Sequence, residues 1–250
     1  MPKRDLRSDP FETLVLLGES TVEGGPWLAD DEPKWADVLT QLIGQCQDEP
    51  LDYRNEGIGA SVISPRSPGY EASRKPSALE RYRERVIAAK PDLFVLAYGL
   101  NDMRAAMPVA DFAADMLTIL QDVQAACRPV TVLTTVYHMT RFAWYPPFDL
   151  GGHEVTLAYN RAIAEVAEKT GALLADAWEA EGEADWLIHQ DGVHANAVGN
   201  LLIAHRVFEV IAANCSCLSR RTTLRHEDTE CTRECWGMNR EGIEPIEGAR

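Results

Sequence analysis

The 250-residue sequence has little positive charge and no long apolar segment. Lys and Arg number 24 against 39 Asp and Glu, which gives a formal net charge of -15 at pH 7. No basic patch of the kind that binds nucleic acid is concentrated along the chain. No stretch approaches the roughly 18 apolar residues of a membrane-spanning helix. We therefore expect neither a nucleic-acid partner nor a membrane segment, and favour a protein that acts on a neutral or small molecule.

Motifs for phosphate binding and secretion are also absent. Neither GxGxxG nor GxxxxGK[ST] occurs, so no phosphate-binding loop is predicted. The charged N-terminus, MPKRDLRSDPF, has no apolar segment behind it and does not look like a secretory signal. A cytoplasmic location is the expectation.

The six cysteines are unevenly distributed. Cys46 and Cys127 lie in helical patterns, and we expect them to be buried thiols. The other four are Cys215, Cys217, Cys231 and Cys235. Their C-x-C and C-x3-C spacing misses the usual C-x2-C pairs of zinc sites, so free or oxidisable thiols are expected, with zinc as the alternative. We predict one domain over residues 1–214 and a charged tail over 215–250.

Apolar runs and helical patterns alternate along the first 214 residues. The predicted strands are TLVLLG, LDYRNEG, DLFVLAYG, VTVLTTVY and ALLADA, and each is followed by a helical pattern. This alternation predicts an α/β fold, a three-layer α/β/α sandwich with a parallel sheet of about five strands.

Polar clusters follow the strand ends or precede the last helix. They are Glu19-Ser20, NEGIGAS at 55–61, GLND at 99–102 and DGVHAN at 191–196. In parallel sheets ligands bind at the carboxyl ends of the strands. The convergence of these clusters predicts a site there.

Ser20, His194 and Asp191 form a candidate catalytic group. A histidine near neutral pKa can take the proton of a serine hydroxyl, and a carboxylate three residues earlier can hold its tautomer. The alternative is that Ser20 caps a helix, while Asp191-Gly192 forms a turn and His194 is a solvated loop residue.

Asn101 and the glycine bend at 55–60 are candidate oxyanion donors. The Asn101 amide follows a strand end and can donate to a developing negative charge. Backbone N–H groups of the bend can face the same point. An Asx turn is the alternative for Asn101.

Together these residues resemble the SGNH hydrolases, also called the GDSL esterase/lipase family. The resemblance covers about residues 12–213 and rests on Ser20 in GES, the glycine bend, Asn101 in GLND, and Asp191 with His194 in DGVH. It implies a flavodoxin-like SGNH hydrolase fold. Two residues depart from the family pattern: Glu19 replaces the usual aspartate, and Ala60 stands at the last glycine of Asn-x-Gly-x-x-Gly.

The resemblance also implies a mechanism without metal or cofactor. Ser20 attacks an ester carbonyl, His194 acts as general base and then general acid, and Asp191 orients His194. The oxyanion is held by the N–H of Ser20, the N–H of Gly59 or Ala60, and the Asn101 amide; we expect Ala60 to serve if its φ is negative. The predicted function is hydrolysis of a small carboxylic ester, such as a carbohydrate acetyl ester.

Two other functions remain open at this stage. Instead of hydrolysing the ester, the chain could transfer the acyl group to an acceptor other than water, or it could bind a ligand without catalysis. Glu19 and Ala60 are the features that favour the last. The sequence leaves the acyl chain, the alcohol and the oligomeric state open.

Two irregular segments are candidates for substrate contact. The segment YHMTRFAWYPPFDLGGHE carries aromatic residues, of which Trp144, Tyr145 and Phe148 are candidate walls of an acyl or sugar pocket, or simply pack over the core. The stretch at 64–77 carries Arg66, Arg74 and Lys75, which we expect to be solvated loop charges rather than substrate contacts.

Overall fold

The structure, a computed structural model, describes residues 5–218 and is built on a five-stranded sheet. The strands are β1 (Thr13–Gly18), β2 (Asp52–Gly57), β3 (Leu93–Ala97), β4 (Val130–Thr134) and β5 (Leu173–Ala175). Every neighbouring pair is parallel. The α/β fold class and the parallel sheet predicted from the sequence are therefore confirmed.

Nine α-helices occur within the described residues. They are α1 (Ser20–Glu23), α2 (Trp35–Gly44), α3 (Tyr70–Ser73), α4 (Ala78–Arg85), α5 (Leu100–Arg104), α6 (Val109–Cys127), α7 (His153–Thr170), α8 (Ala177–Glu181) and α9 (Ala197–Ala212). Short 3-10 turns occupy Ile87–Ala89, Asp185–Leu187 and Ser216–Leu218.

In the strand order β2-β1-β3-β4-β5, the side of the sheet on which the next strand is added changes at β1. After β1 the chain moves outward to β2, and then returns to the other side of β1 as β3. The loops that leave β1 and β3 therefore diverge and open a crevice, which is where ligands bind in such sheets. Gly18 at the end of β1 lies level with Gly57 of β2 and Ala97 of β3.

The helices form two groups that cover the sheet. Helix α9 packs on α2 and α8, and α6 packs on α4 and α7. Both α7 and α9 contact β4 and β5 but have little contact with each other, as expected for opposite faces of one sheet. Strands β1, β3 and β4 are buried almost throughout because both faces are covered.

Two elements differ from the predictions. Strand β2 lies at the sheet edge and is more exposed than the half-buried strand expected. The helix predicted over PSALERYRERVIAA begins at Ala78 and ends at Arg85, after which the chain tightens into the 3-10 turn.

The compact unit extends past the predicted boundary at residue 214. Cys215 and Leu218 are buried in the main core, and the Cys217 N–H donates to the Arg7 carbonyl over 3.2 Å. Cys231 and Cys235 lie outside the described residues, so the zinc and free-thiol alternatives stay predictions.

The remaining two cysteines are less buried than we expected. Cys46 and Cys127 are half-buried, because each lies near the end of its helix. Within residues 5–218, no helix combines the length and the apolar character that crossing a bilayer requires.

Candidate active site

Ser20 is the first residue of a helix that starts directly after the central strand. Gly18 ends β1 and Glu19 precedes α1. A side chain at position 18 would lie 2.1 Å from the Val22 Cγ2 and 2.9 Å from the Ala97 carbonyl oxygen, so the turn requires glycine. This close approach places Ser20 at the carboxyl edge of the sheet.

The structure brings Ser20, His194 and Asp191 into one hydrogen-bonded chain. The Ser20 Oγ lies 3.0 Å from the His194 Nε2, and the His194 Nδ1 lies 2.7 Å from the Asp191 Oδ2. The other carboxylate oxygen, Oδ1, accepts the backbone N–H groups of Val193 and His194 at 2.8 and 3.0 Å. Asp191 is therefore fixed by its own loop and orients the imidazole toward Ser20.

The electrostatics of this pair keep the histidine neutral and the aspartate ionised. Burial alone would raise the pKa of Asp191, but hydrogen bonds from His194 and the backbone outweigh it and lower the pKa to about 2. Burial lowers the pKa of His194, against the hydrogen bond to Asp191, which raises it. A neutral imidazole beside a serine hydroxyl can accept its proton.

Trp27 lies flat against the imidazole of His194, a contact that the sequence analysis did not find. The two ring centroids are 3.6 Å apart and the planes differ by 11°. The indole covers one face of the ring and adds to its burial. No sequence motif marks Trp27; the only local signal is an aromatic residue following GGP in the loop after α1.

Glu19 connects the serine loop to the asparagine loop. Its carboxyl group is buried and accepts the N–H groups of Leu100 and Asn101 at 3.0 and 3.2 Å. Burial, together with the nearby Asp102, raises the pKa of Glu19 to about 8. Glutamate in place of aspartate thus ties the first turn of α5 to the residue beside Ser20 and leaves the serine hydroxyl bonded to His194.

Asn101 lies in the same pocket as Ser20. Its Nδ2 donates to the Ser61 carbonyl oxygen over 3.0 Å, and this bond fixes the amide plane. The residue is 7% exposed.

The glycine bend is held against α1 by Asn55. The Asn55 Nδ2 donates to the Val22 carbonyl oxygen at 2.7 Å, and its Oδ1 accepts the Gly57 N–H at 2.9 Å. A Cβ at Gly57 would lie 2.1 Å from the Glu23 backbone nitrogen, so only glycine fits. The bend therefore rests directly on the helix that carries Ser20.

Gly59 and Ala60 differ in where their N–H groups are used. The Gly59 N–H donates to the Glu23 Oε2 over 2.8 Å. Ala60 lines the pocket, and its N–H has no partner among residues 5–218. The condition of a negative φ at Ala60 is not met: φ is +63°, because the tight bend imposes the left-handed conformation that glycine usually takes. The N–H of Ala60 is present all the same.

A pocket of about 180 Å³ opens beside Ser20. It is lined by Ser20, Ala60, Leu100, Asn101, Arg104, Trp144, Tyr145, Phe148, Val193 and His194. Trp144, Tyr145 and Phe148, the aromatic residues predicted to contact the substrate, all line it. Trp144 and Tyr145 are 44% and 54% exposed, whereas Phe148 is 5% exposed and packs against Val62 and Ala105. The aromatic segment thus both walls the pocket and packs on the protein.

Arg104 lines the pocket, and the sequence analysis missed it. It stands three residues after Asn101 on α5, and this spacing on one helix face is the signal that was available. The arginine that was considered, Arg66, instead pairs with Asp111 and Asp115 at 2.9 and 2.6 Å. Neither Arg74 nor Lys75 lines the pocket.

Comparison with known proteins decides the family. The model of the GDSL-like lipase/acylhydrolase family matches residues 16–202. The chain belongs to this family. It is accordingly a hydrolase of carboxylic esters, as the resemblance of its motifs implied.

Individual GDSL-family relatives are distant. An acetylxylan esterase of Geobacillus stearothermophilus is 23% identical over 204 residues, which are 77% of this chain and 90% of that esterase. A crystal structure of an acetylxylan esterase from the same organism superimposes with a TM-score of 0.61 at 18% identity, covering 83% of this chain and 96% of that one. A lipase/acylhydrolase from Enterococcus faecalis gives 0.62 at 20% identity, covering 81% and 96%. These likenesses confirm the SGNH hydrolase fold.

Proposed function

We propose that Ser20, His194 and Asp191 are the catalytic triad of an esterase that removes small acyl groups. The observation that carries the proposal is the continuous chain from the Ser20 Oγ through the imidazole to the Asp191 carboxylate, at 3.0 and 2.7 Å. Three further structures of the Geobacillus esterase are of catalytic mutants in which a serine, an aspartate or a histidine is replaced by alanine. The same three residue types meet here.

The proposed reaction begins with transfer of the Ser20 proton to the His194 Nε2 while Oγ attacks the ester carbonyl carbon. The tetrahedral intermediate collapses as the imidazolium gives its proton to the leaving alcohol oxygen, which leaves an acyl-serine. Water then attacks the acyl carbon with His194 again as base, and the carboxylic acid departs. Asp191 stabilises the imidazolium at each stage.

The oxyanion of each intermediate is held by three donors. Ser20 and Asn101 both line the pocket, and we assign the Ser20 N–H and the Asn101 Nδ2 as two of the donors. For the third, Ala60 is favoured over Gly59, because the Gly59 N–H is already bonded to Glu23. Preorganised donors of this kind lower the barrier because they need no rearrangement when charge develops.

The substrate that fits best is a small acyl ester of a carbohydrate. A pocket of about 180 Å³ beside Ser20 suits a small acyl group. The exposed rings of Trp144 and Tyr145 offer flat apolar faces of the kind on which sugar rings stack. The acetylxylan esterase relatives support this class of substrate.

Fluorophosphonate labelling combined with turnover of p-nitrophenyl acetate tests the triad. The wild-type protein should hydrolyse the ester, and the label should map to the peptide that holds Ser20. Ser20→Ala and His194→Ala should abolish both turnover and labelling. His205→Ala is the matched control, since it removes an exposed histidine of α9 outside the pocket. Labelling of another serine, or full turnover by Ser20→Ala, would refute the assignment.

A panel of acyl and sugar esters tests the substrate. We expect acetyl esters of sugars to be cleaved with higher kcat/KM than esters of acyl chains longer than four carbons. Transfer of the acyl group to a sugar hydroxyl in preference to water would instead assign an acyltransferase. Tight binding of the esters without product would assign a binding protein.

A further inference from the structure

Arg104 carries a buried charge that the protein does not pair. Its residue exposure is 3%, and its Nε donates to the Phe142 carbonyl oxygen at 3.1 Å. The Nη2 is buried without a hydrogen-bond partner, and the Nη1 donates to no group among residues 5–218. Buried guanidinium groups are normally satisfied by acceptors, because removing them from water is otherwise unfavourable.

A second buried arginine, Arg81, has hydrogen-bond acceptors for both terminal nitrogens, although its Nε has no partner among residues 5–218. Arg81 is 6% exposed, and its terminal nitrogens donate to the Glu56 and Gly18 carbonyl oxygens and to the Tyr98 hydroxyl at 2.6 to 2.9 Å. Arg81 joins the loops of the sheet edge and does not line the pocket. The two arginines therefore differ in role: one is a structural connection, and the other keeps donors available.

The acidic groups that act on the charge of Arg104 accept no hydrogen bond from it within residues 5–218. Burial lowers its pKa, but an arginine remains protonated in proteins. Among the acidic groups around Arg104, Glu19 has the largest electrostatic effect on it. The pKa of Glu19 is about 8, so its carboxyl group is mostly protonated at neutral pH. The Asp191 carboxylate is committed to His194 and to two backbone N–H groups.

Arg104 also faces the reacting groups. It lines the pocket with Ser20 and His194, and its guanidinium carbon lies 5.2 Å from the centroid of the Trp144 ring. The indole supports one side of the guanidinium, and the Phe142 carbonyl fixes the Nε edge. The guanidinium is thus held in a fixed orientation in the lining of the pocket.

We propose that Arg104 binds a carboxylate carried by the ester substrate, so that the enzyme prefers acidic esters to neutral ones. The planar guanidinium presents parallel donors that match the two oxygens of a carboxylate, and such charge-assisted pairs are the strong hydrogen bonds of proteins. This inference deepens the proposed function and rests on it. An acidic sugar or a dicarboxylic half-ester is the corresponding class of substrate.

Paired esters of matched size test the preference. On the acyl side, mono-4-nitrophenyl succinate is compared with 4-nitrophenyl butyrate; on the alcohol side, 4-acetoxybenzoate is compared with its methyl ester. In the wild-type protein we expect kcat/KM to be at least ~10-fold higher for the acid of one pair. Arg104→Gln should reduce the acid-to-neutral ratio by ~10- to 100-fold, as expected for hydrogen bonds to a charged group.

Arg141→Gln is the matched control, because it removes the same charge from the other arginine beside Trp144. Arg141 is exposed, and its guanidinium carbon lies 5.9 Å from the indole centroid. The acid-to-neutral ratio of kcat/KM for Arg141→Gln should stay at the wild-type value. An equal loss for both esters of a pair in Arg104→Gln would assign Arg104 to charge balance within the protein and overturn the proposal. So would a wild-type ratio near one for both pairs.

Failure of this proposal can be told apart from failure of the proposed function. If the wild-type protein hydrolyses neutral esters and is labelled at Ser20, but cleaves the acid and the neutral ester of each pair equally well, only the Arg104 proposal fails. If Arg104→Gln does not fold, Arg104→Lys replaces it in the comparison, because lysine keeps the positive charge but lacks the parallel donors of the guanidinium. Competitive inhibition of wild-type protein by benzoate, compared with benzamide, gives a second measurement; equal inhibition by the two would contradict the proposal.

Discussion

The pocket has two walls of different construction. The first rises from the ends of β1 and β3 and carries Ser20 and Asn101. Its side chains are buried, and hydrogen bonds that Glu19 accepts and Asn55 donates tie its loops together. The second comes from the segment between β4 and α7, which presents large exposed rings. The groups proposed to react with the ester lie on the first, rigid wall together with Arg104 of α5, and the exposed rings proposed to contact the substrate lie on the second wall.

The sharpest way to break this comparison is to change a donor on the rigid wall. Asn101→Ala should lower kcat by about 10²- to 10³-fold with little change in KM, because the amide bonds mainly the transition-state oxyanion. Steady-state kinetics measures this split. Asn160→Ala is the control, since it removes a buried amide that bonds the Val136 backbone away from the pocket. Unchanged turnover by a folded Asn101→Ala protein would remove that residue from the site.

The contact between Trp27 and His194 predicts a pH effect. Free enzyme works with neutral imidazole, so kcat/KM should rise with pH through the pKa of His194, and burial places that rise below the ordinary value for histidine. Trp27→Ala admits water to one face of the ring, which reduces the burial and should move the rise to higher pH. Wild-type and variant pH–rate profiles measure the shift. A shift in the opposite direction would mean that the indole stabilises the imidazolium instead.

A change on the second wall should act on binding. Trp144→Ala removes an exposed ring from the pocket mouth and should raise KM for sugar esters by about 2- to 12-fold, which corresponds to one stacking contact of about 0.5–1.5 kcal/mol. The kcat should change by less than twofold. Trp186→Ala offers a comparison, because Trp186 is 68% exposed and lies outside the pocket. A loss confined to kcat would place Trp144 with the rigid wall.

The smallest effect is expected at the departure from the family pattern. Ala60 has φ of +63°, a conformation that costs an L-residue about 1 kcal/mol. Ala60→Gly removes this strain but gives the unfolded chain more freedom, so the free energy of unfolding should change by less than about 1 kcal/mol. Urea denaturation measures it. The N–H remains, so turnover should stay within about threefold; a larger loss would mean that the Cβ itself positions the bend.

The features that could be predicted from sequence depend on local patterns. Buried strands such as β3 read as continuous apolar runs, and the GES and DGVH motifs stand at a strand end and just before a helix. Asp191 and His194 are three residues apart, so their pairing is a property of one loop.

The features that were missed depend on contacts between distant segments. Trp27 meets His194 only after the sheet is assembled, and the direction of the Arg104 side chain is set by Phe142 and Trp144 in another loop. The sign of φ at Ala60 follows from how the bend is pressed onto α1. The exposure of β2 follows from its edge position, which the order of strands in the sequence does not state.

The separation of the reacting residues also has a consequence for refolding. Ser20 and His194 are 174 residues apart in sequence, and the loop of His194 is brought to β1 when α9 docks on α2, where the Asn200 Oδ1 accepts the Trp35 N–H at 3.0 Å. Contacts of such long range form late because closing a large loop costs chain entropy. In refolding from urea, helical circular dichroism should therefore return before esterase activity. Recovery of esterase activity therefore reports the contact between Ser20 and His194.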